Sequence, residues 1–549
     1  MRAWLALGPA FAVAGLAACG APARGSLVTA PVLSVAAGAS TTGPETRRFR
    51  SAQFGRQVVG ADSLSEAEAL GTWHDEIMFD QGRAVRVARV GPSGLLSSVT
   101  RIEYGPAGGY RLTHLDAYGV EGYRETVTPE GARTRSYRSG VSSERGCASL
   151  RERYDAHGLV ESASCLDENG RVVTDNEGCE ERRLEYDDHL RIQTESCFAA
   201  DGTPATFGAG GHAVRTGYDE RGFRSAVSRR GSGGASATDD QGCAVTRYAR
   251  DKAGDALTTS CFDGSGAPHG MSGSAAVVTR IAYDANGCIL REESVNALGG
   301  LTPILGIAQR VFTRDPECGI LSSLQRDELG RAAAPDQKAA SHEFVRNHAG
   351  LAIEERCRSA SNLPISCRDG RGTGGALVRY AYDERGRERL RTGFTADGSK
   401  SPMSATYPHE WRFTYLADGL SREVAYFDEA GQPAFANGDV AKHAFLFDRL
   451  GSVESVKSLD ATGALTSPTT GCSELHRTYD VSHRLASIEC RGRDGAPSES
   501  TLILEAIHWP THAARVVVER KGSDVANAYF DVNGSVLTRV PCAAERCFR

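Results

Sequence analysis

The sequence predicts an all-β protein, an elongated array of stacked antiparallel β-hairpins with a period of about 32 residues, forming an open or spiralled sheet. Three observations predict it. A tyrosine–aspartate–glycine turn recurs, a second turn follows each copy by 12 residues, and cysteine pairs straddle the first turn. A fixed period of this length marks a repeat array, in which each unit buries its face against its neighbours.

The first turn is Tyr154-Asp155-Ala156-His157-Gly158, and it returns at Asp187, Asp219 and Asp251. Looser copies sit at Asp284, Asp315, Asn347, Asp383, Leu416, Asp448 and Asp480. An alternating run precedes it, as in Tyr380-Ala381-Tyr382 and Phe445-Leu446-Phe447. Large apolar groups two apart are strand period, with the aromatics on one face. The second turn reads Asp167-Glu168-Asn169-Gly170, then Ala199-Ala200-Asp201-Gly202 and Asp460-Ala461-Thr462-Gly463, among other copies. Aspartate and asparagine bond to the backbone that follows them, and glycine accepts positive φ, so these clusters read as tight turns. Each unit is therefore strand, turn, strand, turn and polar connector. A third short strand in the connector is an open alternative. The aromatics read as rungs of a core ladder, with sugar or base stacking as the competing reading. The aspartates read as turn formers, with calcium ligation competing.

Fifteen cysteines are present. Cys147 and Cys165, Cys179 and Cys197, Cys243 and Cys261, and Cys472 and Cys490 are each 18 apart and centred on the first turn. Residues equidistant from a hairpin turn face each other across the ladder, so these eight are expected to form four hairpin disulfides. Three further pairs are weaker expectations: Cys288 with Cys318, Cys357 with Cys367, and Cys542 with Cys547. Cys357 lacks its usual mate because Ala339 stands in that place. No C-x-x-C knuckle or histidine ligand spacing is present, so no metal is expected. Nor is any cofactor or catalytic residue, since no HExxH, GxSxG, Walker A or dinucleotide motif occurs.

The N-terminus is Met1-Arg2, an apolar run from Ala3 to Ala18, then Cys19-Gly20. One positive charge, a short apolar stretch and small residues make a signal peptide, and the run is short for a spanning helix. Leu16-Ala17-Ala18-Cys19 resembles the bacterial lipobox. That resemblance implies cleavage before Cys19, acylation including palmitate at that residue, and, with Gly20 following, outer-membrane sorting in the bacterial cell envelope. An ordinary signal cut near Ala18 or Ala23 is the alternative. The expected organisation is a signal peptide over 1–18, a flexible tether over 19–46, and a cap with degenerate repeats over 47–144. Regular repeats follow over 145–500, and a degenerate repeat and cap over 501–549. The net charge of −6 is modest and its signs are interspersed. No basic stripe points to nucleic acid, so the expected partners are the membrane through the lipid and a protein or glycan.

Arg379-Tyr380-Ala381-Tyr382-Asp383-Glu384-Arg385-Gly386-Arg387, with Arg153 to Gly158 and Arg280 to Gly287, resembles the YD repeats of RHS-type proteins. The resemblance spans about residues 75 to 535. It implies long antiparallel sheets of stacked hairpins, some wound into a shell around a toxin. The unit here is longer by its connector, and the last repeat falls just before Arg549, so no toxin domain is expected. A non-enzymatic envelope lipoprotein with an extended binding or structural surface is the leading reading, glycan or cell-wall binding being one form of it. An RHS-type toxin shell or fragment is the alternative, and an uncharacterised envelope enzyme the third.

Overall fold

The computed structural model describes residues 44–137, 146–207, 210–239, 241–334, 339–367, 375–403, 407–436, 438–448, 452–468, 471–479, 485–499, 503–504, 507–508, 513–521 and 524–542. Within these, 34 strands form one antiparallel sheet that is not closed. Helix is confined to Glu66–Ala69 and a 3-10 turn at Met271–Gly273. The fold is the all-β hairpin array that the repeats predict.

One hairpin shows how the sequence builds the rest. The strands Ser149–Tyr154 and Val160–Leu166 pair antiparallel, with a register shift between Val160 and Ser162. The turn is held by Asp155, whose Oδ1 accepts the amides of His157 and Leu159, each at 2.9 Å. Gly158 closes it at φ +80°, a conformation in which a Cβ would clash with the backbone. Asp187, Asp219, Asp284 and Asp383 repeat the same pair of bonds. Turn chemistry therefore occupies one oxygen of each of these carboxylates.

The tyrosine before the turn acts through its hydroxyl as well as its ring. Tyr186 donates to the Val160 carbonyl of the preceding hairpin at 3.0 Å, Tyr218 to Ile192 at 2.8 Å, and Tyr382 to Ala352 at 2.7 Å. These carbonyls lie beside the register shift of their hairpins. Where arginine replaces the tyrosine, it donates to the equivalent carbonyl: Arg250 to Arg224 at 2.6 Å and Arg346 to Ile320 at 2.9 Å. The recurring residue is thus a staple between hairpins. Tyr382→Phe is expected to cost about 1–2 kcal/mol by orphaning the Ala352 carbonyl, read as a lower denaturant midpoint. Tyr382→Arg should recover part of that loss.

After the second turn the connector returns through single bridges, such as Phe198 to Pro204 and Phe262 to Pro268, rather than through a full third strand. Its residues cover one end of a sheet face. Met403 and Tyr407, for example, pack on Trp411, Val424 and Tyr426.

The first eight strands make a tighter body. They are β1 (Glu45–Phe54), β2 (Val58–Leu64), β3 (His74–Asp80), β4 (Arg83–Val90), β5 (Leu96–Tyr104), β6 (Tyr110–Asp116), β7 (Glu121–Val127) and β8 (Ala132–Tyr137). β1 lies between β2 and β3, and pairing then runs in chain order. Val58, Ile77, Val87, Ile102, Tyr110 and Leu112 fill one apolar cluster within it.

The sheet then winds past this body, so contacts are not limited to neighbouring repeats. The Arg56 amide donates to the Gly158 carbonyl at 2.8 Å, and the Trp73 amide to Ala253 at 2.9 Å. Arg191 reaches Asp62 at 3.1 Å, and Tyr118 donates to Asp315 at 2.7 Å. A Cβ on Gly287 would sit 2.6 Å from the Trp73 ring. The tips of successive first turns, from Asp155 to Asn347, therefore line the rim of the N-terminal strands in order. Expecting contacts only between neighbours misses this seam.

Candidate binding face, seam and cysteine sites

Strand alternation sorts the repeats' side chains onto two faces. One carries the cysteines, the Tyr-Asp tyrosines and the connectors. The other carries exposed arginines, although Ala226 and Ser228 beneath them are buried. Ladder partners share a face, so pairing carries that face from hairpin to hairpin: Arg151 opposes Ser164, Arg183 opposes Ser196, Arg215 opposes Ser228 and Arg247 opposes Ser260. Arg280 continues the row, opposite Glu293. Arg151, Arg215, Arg247 and Arg280 are exposed, and Arg183 is half-buried. Arg215, Arg247 and Arg280 form no ion pair with any described carboxylate. Glu181 serves both Arg153, at 3.2 Å, and Arg183, at 2.9 Å. Phe198 lies 3.9 Å from the Arg183 guanidinium, and Phe262 lies 4.6 Å from that of Arg247, flanking the row with aromatic surface. Successive arginines stand two strands apart and are offset along the strand, a spacing of about 12 Å. The row is invisible as a charge run because its members are about 32 residues apart in sequence.

The seam holds two open clefts. One of about 680 Å³ lies between Tyr118, Asp315, Glu317 and Arg346. The other, about 530 Å³, lies between Arg56, Tyr110, Pro129 and His157. Nearby, Trp73 Nε1 donates to Asp255 Oδ1 at 2.7 Å, and Asp255 is 8 % exposed. Burial pushes its carboxyl up to about 6, against the Trp73 bond, which lowers it. A carboxyl raised on folding stabilises the fold in its protonated form. Its contribution is complete below the unfolded value and fades as pH rises through about 6. Stability is therefore expected to fall between about pH 4 and 6 from this group, and Asp255→Asn should flatten that segment of a stability–pH curve. An unchanged curve in the variant would exclude the assignment.

The cysteine pairs with 18-residue separation lie at bonding distance, with Cα–Cα of 5.2 Å for Cys147–Cys165 and 5.3 Å for Cys179–Cys197, Cys243–Cys261 and Cys472–Cys490. The geometry differs from a direct cross-strand pair. Cys165 opposes Leu150 and Cys197 opposes Arg182, each three residues beyond its partner cysteine. The first cysteine sits at the end of the connector and closes diagonally over the strand. The offset escapes a symmetry argument because the Tyr154–Val160 pair centres the hairpin one residue past the cysteines' midpoint, which gives two of the three residues, and the register shift beside the turn adds the third. Cys288–Cys318 and Cys357–Cys367 are also bonded, with Cα–Cα of 5.2 Å in each. Cys19, Cys547 and the Cys542 side chain lie outside the described residues.

One side-chain cluster was hidden from sequence inspection. His342 pairs directly across the ladder with Cys357, although 15 residues separate them. His342 Nδ1 lies 2.7 Å from Glu355 Oε1 and 3.3 Å from Cys357 Sγ. Tyr380 donates to the other oxygen of Glu355. Burial alone would raise the Glu355 carboxyl, but His342, Tyr380 and the Arg391 charge together hold it below its usual value.

No family model and no curated protein matches the chain. Among solved structures, it is similar to a Photorhabdus luminescens Tc holotoxin pore with a TccC3 mutation, at 11% identity and a TM-score of 0.29, covering 87% of this chain and 30% of that one. A TcdB2–TccC3 crystal structure matches at 11% identity and a TM-score of 0.28, covering 85% of this chain and 30% of that one. The chain thus spans less than a third of the length of either.

Proposed function

We propose that this protein is a non-enzymatic, lipid-anchored component of the bacterial envelope whose open sheet face is an extended binding surface for a glycan or protein. The observation that carries the reading is the solvent-facing arginine row, flanked by aromatic rings and nearly free of opposing carboxylates over four successive hairpins. The lipobox at Cys19 and the bonded cysteines fit an oxidising, membrane-tethered setting. Binding of the purified protein to acidic polysaccharides and to envelope proteins tests the reading. Arg215→Ser, Arg247→Ser and Arg280→Ser combined should weaken the interaction at least tenfold, while turnover of a hydrolase substrate would displace the proposal. Cys19→Ser should abolish fatty-acid labelling and release the protein from membranes; equal label would sink the anchor. An RHS-type shell is the second reading. It is favoured by the winding of the sheet past its N-terminal strands, and detection of a polypeptide sealed within the purified protein would support it.

A further inference from the structure

We infer that His342, Glu355, Cys357 and Cys367 form a redox-gated site for a zinc-class divalent cation, open only when the Cys357–Cys367 disulfide is reduced. The donors come from three places that the fold brings together. His342 and Cys357 are ladder partners on neighbouring strands, Glu355 lies two residues before Cys357 on the same face, and the connector returns Cys367 to Cys357. Three of the ligand atoms, from His342, Glu355 and Cys357, already lie within 4.8 Å of one another.

The spacing is close to that of a tetrahedral site. Zinc bonds of about 2.0–2.1 Å to nitrogen or oxygen and about 2.3 Å to sulfur place neighbouring ligand atoms roughly 3.3–3.6 Å apart. Here Nδ1 to Sγ is 3.3 Å, Sγ to Oε1 is 3.7 Å and Nδ1 to Oε1 is 2.7 Å. Of these three edges only the last must open, by about 0.6 Å, while the two sulfurs move apart to roughly 3.8 Å once their bond is broken. Tyr380 holds the carboxylate from its far oxygen and leaves Oε1 facing the histidine and the sulfur. A mixed nitrogen, oxygen and sulfur donor set suits zinc over calcium or magnesium.

The oxidised state blocks the site, since a disulfide sulfur is not a thiolate. Reduction by an external dithiol breaks the Cys357–Cys367 bond and adds two electrons and two protons. The dithiol becomes a disulfide, and the protein gains two thiols. Cation binding then releases both thiol protons. His342 Nδ1 sits 3.3 Å from the Cys357 sulfur, within hydrogen-bond reach of the sulfur that must leave. This bridge also lacks the 18-residue hairpin spacing of four of the other five bonded pairs, because Ala339 occupies the position of the usual partner.

The test uses the full chain under limiting dithiothreitol, with alkylation and peptide mapping to order the disulfides by ease of reduction. Cys357 and Cys367 should be alkylated first, and one equivalent of zinc should protect both. Cobalt(II) at the same stage should give the absorption of a tetrahedral thiolate site. His342→Ala and, separately, Glu355→Gln should each weaken cobalt binding at least tenfold, with an unchanged far-UV spectrum showing that the sheet persists. Late reduction of this pair, or cobalt affinity unchanged in both variants, would overturn the inference.

Discussion

Arg133→Ala is expected to destabilise the protein by about 3–5 kcal/mol, the loss typical of breaking a buried ion pair from one side. The Arg133 side chain is 6 % exposed, and its partners Glu125 and Glu152 are 4 % and 5 % exposed. Its Nε donates to Glu152 at 2.7 Å and its Nη2 to the Phe54 carbonyl at 2.6 Å, while Nη1 donates to Glu125. Tyr154 completes the group with a 2.7 Å bond to Glu152. These residues join the ends of the eight-strand body, β1, β7 and β8, to the first regular hairpin, so the arginine sits where the sheet begins to wind. Removing it leaves Glu152 buried without a counter-charge and leaves Glu125 with Arg135 as its only arginine partner among the described residues. The burial penalty on Arg133 is outweighed by Glu152 and Glu125, so its pKa is raised. Denaturant unfolding measures the loss. Adding Glu125→Gln and Glu152→Gln to the variant should return part of it, and a loss below about 1 kcal/mol would contradict the assignment.

Replacing Cys243 and Cys261 together by alanine is expected to cost about 3 kcal/mol, on the chain-entropy estimate for a loop of this length. The effect should be local, because stability in a repeat array is a sum over units and their interfaces. Hydrogen exchange should quicken in the strands Val245–Arg250 and Ala256–Phe262 and their immediate neighbours. Distant hairpins such as Lys442–Phe447 with Val453–Leu459 should keep their rates. Uniform acceleration, or none, would count against the hairpin as the cooperative unit.

The hairpins were legible because their causes are local. Asp155 and Gly158 make their turn from residues two to four apart, and a 32-residue period exposes the copies. The disulfide partners were legible from spacing, though not their diagonal geometry, which comes from where the hairpin is centred together with the register shift beside Val160. What escaped depends on contacts that no period encodes. Trp73 meets Asp255, and Tyr118 meets Asp315, only because the sheet winds. The arginine row arises only when strands pair, so a scan for charge runs finds no stripe. His342 and Cys357 become neighbours through ladder pairing, which the usual ligand spacings do not describe. The tyrosine hydroxyl bond also needed the structure, since its acceptor is a carbonyl 26 residues away, as with Tyr186 and Val160.

Small-angle scattering on the non-acylated Cys19→Ser protein distinguishes an open, wound sheet from a compact globule. A compact globule of this length has a radius of gyration of roughly 24 Å. A single wound sheet with one face left to solvent distributes its mass farther from the centre. The expected result is a radius clearly above that value, together with a far-UV spectrum dominated by β-structure. A radius at the compact value would contradict an open, wound array.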